Sequence, residues 1–399
     1  MLCQFSFSNF RSYRDETTID FQAENLKDEF EDSLVGGNLL PTVVLYGPNG
    51  GGKSNALKAF MCMVSTVLKP IYETHTNRSE QIVPLPVIPC TPFLFENSAA
   101  SEPTEFLTTF RVKDYEYRYY ISLLNNDIVS ESLERKKLKA SRTASLFSRE
   151  NGVITLGPSM PKSTNASVNS KMPYLSFLAI NYAIPVIREA QDWFESCLLR
   201  SYADPLSETM VMIANKEDDH KEFVRILWDC GIDINDFRYD DDKHDIMVEH
   251  DVNGNKYELS YEDESDGTQK LFIAMPLVLI ALKEGRLLVM DELDAKLHPK
   301  LLRYVIAMFT NPAINKKGAQ LLFTSHDMST MKSSVFRRDE ILFAAANSEK
   351  KSEIFCLYEL RDEFNNRVKT TSAYDKQYLA GRYGADPYLQ NMLSGGGWS

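Results

Sequence analysis

The residues best suited to chemistry stand together in Gly47-Pro48-Asn49-Gly50-Gly51-Gly52-Lys53-Ser54, which satisfies G-x-x-x-x-G-K-S. Without Cβ atoms in the way, backbone N–H groups of such a loop, here at Asn49, Gly50 and Gly52, can wrap phosphate oxygens at a helix N-terminus. Lys53 supplies the cation for the β and γ phosphates, and the Ser54 hydroxyl supplies a ligand for Mg²⁺. A second group closes the apolar run Leu287-Leu288-Val289-Met290 with Asp291 and Glu292. Burial of such a strand fixes both acids at its carboxyl end, where ligands of open α/β sheets sit. Asp291 is expected to hold the magnesium through water, and Glu292 to orient and deprotonate the attacking water. The ligands implied are ATP and Mg²⁺.

These groups need elements to hold them. Thr42-Val43-Val44-Leu45-Tyr46 predicts a strand running into the glycine loop, and Leu57, Phe60, Val64 and Leu68 give the following helix an apolar stripe. Alternation at Phe5, Phe7 and Phe10, then Ile19 and Phe21, predicts two strands joined by a turn around Arg11–Asp15. Residues 105–111, 116–123 and 128–133 read as a small antiparallel side sheet, and the Ser-, Thr- and Asn-rich stretch 139–172 as a mobile loop. Tyr174 to Asp236 has helical spacing and reads as a helical insertion, followed by a hairpin around Asn253-Gly254. The last third alternates helix and strand, which implies an α/β fold with a mixed or parallel sheet flanked by helices. The expected units are 1–135, the first part of the ATPase head with its side sheet; 136–257, loop and helical insertion; and 258–394, the second part of the head. Gly395 to Ser399 reads as a linker or tag remnant.

Composition bounds the partners. A formal net charge of −12 over 399 residues argues against a surface that binds nucleic acid throughout, because phosphate neutralisation requires clustered Lys and Arg. The basic run Arg135, Lys136, Lys137, Lys139 and Arg142 reads as a solvated face. No apolar run is long enough to span a bilayer and no secretory signal opens the chain, so a cytoplasmic protein without a membrane partner is expected. Six scattered cysteines predict free thiols and no zinc.

Glu264-Ser265-Asp266-Gly267-Thr268-Gln269-Lys270, shortly before the Asp291 strand, resembles the signature motif of ABC ATPases. Leu293-Asp294-Ala295 resembles that family's D-loop, and Thr324-Ser325-His326-Asp327 its switch histidine. The resemblance implies an ABC-ATPase head that closes as a homo-oligomer. Ser265 and Gly267 would reach the γ-phosphate bound by a second copy, Asp294 would line the site, and His326 would report the γ-phosphate. It further implies slow, oligomer-dependent hydrolysis of ATP to ADP and phosphate. Ser265 with Asp266 also reads as a helix N-cap, and the two roles are compatible.

Asn9-Phe10-Arg11-Ser12 resembles the opening of the RecF, SMC and OLD branch, which implies nucleotide contacts at Arg11 and Ser12. No glutamine is assigned to a Q-loop; Pro92–Asn97 lies where one would be sought. The run Asp291–Leu302, and a tail at 381–387, are similar to RloA/AbiL-like phage-defence ATPases, with AriA- and PtuA-like relatives. Sustained heptads are absent between Lys53 and Ser265, and about 70 residues follow His326, so neither a long coiled coil nor a fused nuclease is expected. The resemblance therefore implies a separate nuclease or toxin effector and a phage-encoded trigger, with nucleic acid left open as a partner. The alternative is a RecF-like ATPase that clamps duplex DNA during repair.

Overall fold

The computed structural model describes residues 1–26, 29–74, 88–200, 217–240, 242–243, 245–361 and 365–384. Gly395–Ser399 and part of the resemblance at 381–387 lie outside them.

A six-stranded sheet forms the centre. Its order is β16 (Ser352–Cys356), β15 (Ile341–Ala346), β3 (Thr42–Tyr46), β14 (Gln320–Thr324), β13 (Leu287–Met290) and β9 (Leu198–Arg200). All neighbours are parallel except β16. β3, β13 and β14 are buried along their whole length, which explains their unbroken apolar sequences. Their side chains alternate between two cores: Val43, Leu45 and Val289 enter one, while Val44, Tyr46 and Met290 enter the other.

On the first face, helix α1 (Lys53–Thr74) lies between this sheet and a seven-stranded antiparallel sheet. That second sheet runs β2 (Thr17–Asp20), β1 (Leu2–Ser8), β4 (Thr104–Val112), β5 (Tyr115–Leu124), β6 (Asp127–Lys137), β7 (Thr143–Glu150), β8 (Val153–Leu156). Aromatic contacts join the layers: Phe5 meets Phe60 of α1 edge-on at 5.1 Å. Phe110 stacks at 4.0 Å on Trp193 of α3 (Pro185–Ser196), which follows α2 (Tyr174–Asn181).

On the other face pack α4 (Glu217–Asp229), α5 (Asp266–Glu284), α6 (Pro299–Thr310) and α7 (Tyr374–Leu379). A three-stranded sheet, β10 (Asp236–Asp240), β11 (Asp245–Val252) and β12 (Asn255–Ser260), leads into α5. Phe223, Phe237 and Phe272 interlock to attach it.

The fold is α/β, as expected, with a mixed sheet flanked by helices and an antiparallel side sheet. Three readings need correction. The stretch 139–172 is not a loop throughout, since β7 and β8 extend the side sheet by a hairpin. Thr143, Ser145 and Thr155 take strand positions open to solvent, while Leu146 and Phe147 are buried. The helical insertion is interrupted, because Leu198–Arg200 pairs in parallel with β13 and becomes an edge of the central sheet. Neither expected boundary, 135/136 or 257/258, falls between elements: β6 continues to Lys137 and β12 to Ser260. Among the described residues no helix is long and apolar enough to cross a membrane.

Candidate functional site

The glycine loop leaves β3 and is pressed against the neighbouring strand. A Cβ on Gly47 would lie 2.1 Å from the Ala344 carbonyl oxygen, one on Gly51 2.5 Å from the same atom, and one on Gly52 2.5 Å from Ser352 Oγ. Glycine is thus required there by the closeness of β15 and β16. Asn49 and Gly50 stay exposed at the tip. Lys53 is buried and curls back, donating to the carbonyl oxygens of Gly47 at 2.7 Å and Pro48 at 3.1 Å. Burial lowers the pKa of its amine, and the charges of Asp291, Asp294 and Glu292 pull it back up.

One hydroxyl ties the two acids together. Thr324, fully buried at the end of β14, donates to Asp291 Oδ1 at 2.6 Å and accepts the Glu292 N–H at 2.7 Å. Asp291 Oδ1 also accepts from Ser54 Oγ at 3.0 Å. This works because β14 is inserted between β3 and β13, so the ends of three parallel strands converge. Glu292 itself has φ +52°, the left-handed region, a conformation that costs a side-chain-bearing residue about 1–3 kcal/mol. Its carbonyl accepts from Lys270 Nζ at 3.2 Å. Lys270 is buried, and desolvation pushes its amine down to about 8.

Asp294 Oδ2 accepts the backbone N–H of His326 at 2.8 Å, while its Oδ1 is buried without a hydrogen-bond partner. His326 is exposed. Ser265 caps α5, accepting from the Thr268 N–H at 3.2 Å. Gly267 faces the Lys296 carbonyl, 3.4 Å from where a Cβ would sit, and Lys296 pairs with Asp266 at 3.1 Å. Ser265 is exposed, and among the described residues no hydrogen bond links Ser265 or Gly267 to the glycine loop.

The opening turn is held by Asn9, whose side chain donates to Ala99 O at 2.8 Å and accepts from Phe93 N at 3.0 Å. The segment around Pro92–Asn97 therefore lies against that turn. Ser12 Oγ accepts from Asn55 of α1 at 2.9 Å and meets Ser352 Oγ at 2.9 Å. Arg11 has positive φ, and its Nε is buried without a hydrogen-bond partner. Tyr13 donates to the Gly52 carbonyl at 3.2 Å.

Ser54, Asp291, Glu292, Asp294 and His326 are thus brought together, with Lys53 in their field and Ser12 beside α1. Ser265 and Gly267 stand apart on the signature helix. The roles of Thr324, Lys270, Asn55 and Ser352 are not evident in sequence: Thr324 and Lys270 lie inside recognised motifs, whereas nothing local marks Ser352. Oxygen donors 3.0 Å apart on Ser54 and Asp291 fit a hard cation such as Mg²⁺.

A phosphate loop, an acid pair at the end of a strand, and a strand inserted between them define an ATPase domain of the AAA/ABC-like type. The chain belongs to the family described as "AAA domain, putative AbiEii toxin, Type IV TA system", whose model matches residues 43–332. No curated protein matches the chain. Similar solved structures include the SMC head domain from Thermotoga maritima, at 12% identity and TM-score 0.43, covering 89% of this chain and 98% of that one. A second is the SmcHead bound to the C-winged helix domain of ScpA, at 14% identity and TM-score 0.41, covering 89% and 97%. A third is an Smc head domain with an extended coiled coil, bound to the C-terminal domain of ScpA derived from Pyrococcus furiosus, at 11% identity and TM-score 0.42, covering 89% and 96%.

Proposed function

We propose that the chain hydrolyses ATP at this site as a homo-oligomer, two copies closing on the nucleotide, and that it controls a separate nuclease or toxin effector in anti-phage defence. The observation that carries the ATPase reading is the chain of hydrogen bonds Ser54–Asp291–Thr324–Glu292, which joins the phosphate loop to the acids. Lys53 leaves its loop carbonyls to meet the β and γ phosphates, gaining anionic partners that a buried amine needs. Ser54 and Asp291 hold Mg²⁺, which when bound neutralises phosphate charge. The Glu292 carboxylate accepts a proton from water as the water oxygen bonds to the γ phosphorus and the bond to the β–γ bridging oxygen breaks, releasing ADP. His326 and Asp294 sense the γ-phosphate edge, and Arg11 and Ser12 flank the nucleotide.

Ser265, exposed, and Gly267, half-buried in the first turn of α5, make no hydrogen bond among the described residues to the glycine loop of their own protomer and are suited to the γ-phosphate held by a second copy. The N-terminus of α5, with its free N–H groups, favours an anion there. The defence reading rests on the family description and on the resemblance to RloA/AbiL-like ATPases. It makes the protein cytoplasmic and its trigger phage-encoded.

Phosphate release by the purified chain tests the enzyme. Lys53→Ala should lose ATP binding, while Glu292→Gln should bind ATP normally and lose hydrolysis by 100-fold or so, on the order expected for a general base. Equal loss of binding by both would contradict the separate roles. For the defence reading, purification from the native operon with MgATP should bring down a stoichiometric nuclease or toxin. A partner-free chain retaining duplex DNA would contradict it.

A further inference from the structure

Glu292 is held by its backbone on both sides, and its two holders come from different places. Thr324 Oγ1 takes its N–H at 2.7 Å from the end of β14. Lys270 Nζ reaches its carbonyl at 3.2 Å from the second turn of α5. Together they stabilise a left-handed backbone at φ +52°, which a residue with a side chain does not keep without help. The same helix begins at Ser265 and Gly267. A second contact runs parallel to the first, since Lys296, also at positive φ of 63°, pairs with Asp266 of α5 at 3.1 Å. The loop that carries Glu292 is therefore fastened to the signature helix at both its beginning and its end.

We propose that Lys270 is a positioning residue that sets the Glu292 peptide, and that through it the signature helix transmits the presence of nucleotide on the partner copy to this protomer's own glutamate. The inference rests on the ATP-sandwich reading above. A helix is stiff along its axis, so a shift of its N-terminus upon meeting a γ-phosphate is carried little more than one turn to Lys270. Lys270 then moves the carbonyl of Glu292, and the carboxylate turns with the peptide. Binding of ATP to the glycine loop of the same protomer does not need this contact, whereas alignment of the attacking water does.

The test is a split of kcat from binding. Lys270→Met keeps the stem and removes the donor. It should lower kcat roughly 10- to 100-fold, as loss of alignment does, while the Kd for a non-hydrolysable ATP analogue stays within about twofold. Lys270→Arg, which restores a charged donor, should recover most of kcat. In the double variant Lys270→Met/Glu292→Gln, ATP should still drive two copies together. A kcat for Lys270→Met equal to wild type, or a loss that Lys270→Arg does not rescue, overturns the proposal. Should Lys270→Met not fold, Lys270→Leu, which also removes the donor, carries the same test: kcat should fall with Kd unchanged. Wild-type turnover in Lys270→Leu would then overturn it. Glu292→Gln in the same assay separates the two levels, because turnover that survives this change refutes the ATPase reading itself.

Discussion

At the scale of single residues, the site is a group of charges, several of them buried, tied together by a few hydrogen bonds. Lys53 and Lys270 are both buried amines whose desolvation cost is offset only in part by Asp291, Glu292 and Asp294. Lys270 loses its proton near pH 8 in the folded chain against an ordinary value of 10.5. Between those values the unfolded chain holds more protons, so this group makes the protein more stable as pH rises through the window. Urea midpoints of the nucleotide-free protein, compared with Lys270→Met between pH 7 and 10.5, should shift in favour of the wild type by roughly 1–3 kcal/mol. A pH-independent difference would mean the amine is not perturbed. The glycines divide in the same physical way. Gly47→Ala meets the Ala344 carbonyl and should unfold the loop, whereas Gly50→Ala meets nothing within 4 Å and bears only its φ of +78°. Nucleotide binding should vanish in the first variant and survive, with about 1 kcal/mol of lost stability, in the second; circular dichroism with nucleotide titration checks both.

At the scale of elements, the side sheet and the helices are locked by buried polar groups. Glu131 on β6 is fully buried, accepting from the N–H groups of Tyr174 at 2.6 Å and Leu175 at 3.0 Å, so it holds the start of α2. Arg149 of β7 approaches it at 3.8 Å and donates to Met172 O at 3.0 Å. Glu131→Ala should cost about 3–5 kcal/mol in denaturant unfolding, because it strands a buried cation and two N–H groups; a cost under about 1 kcal/mol would contradict this anchoring. Elements that carry a strong local pattern were legible in sequence. The strand–loop–helix around Lys53, the apolar run before Asp291 and the Asn253-Gly254 hairpin follow from periodicity and turn chemistry alone. β7 and β8 were not, because polar strand positions facing solvent resemble a loop until a neighbouring strand is known. Nor was β9, a three-residue strand that exists only because β13 lies beside it. In the site, the residues inside motifs were legible, while Ser352 and Asn55 were not, since they meet Ser12 only through the packing of distant segments.

At the scale of the whole molecule, two cores on opposite faces of one mixed sheet fix the ends of three parallel strands in register, and that rigidity brings Ser54, Asp291 and Glu292 together before any nucleotide arrives. Ser265 is exposed and Gly267 half-buried at the start of α5, and the proposed two-copy sandwich gives both a γ-phosphate to meet. In the basic run at the end of β6, Lys136 pairs with Glu116 at 3.2 Å and Arg135 lies over the Tyr115 ring at 4.6 Å, while Lys137, Lys139 and Arg142 are exposed. The measurement that tests the central claim most directly is light scattering of Glu292→Gln with and without MgATP, beside Lys53→Ala under the same conditions. The mass of Glu292→Gln should double, or rise by an even multiple, only with MgATP, and the added Ser265→Arg change should abolish the rise. A mass unaffected by nucleotide, or one that rises equally in Lys53→Ala, would contradict the two-copy ATP sandwich.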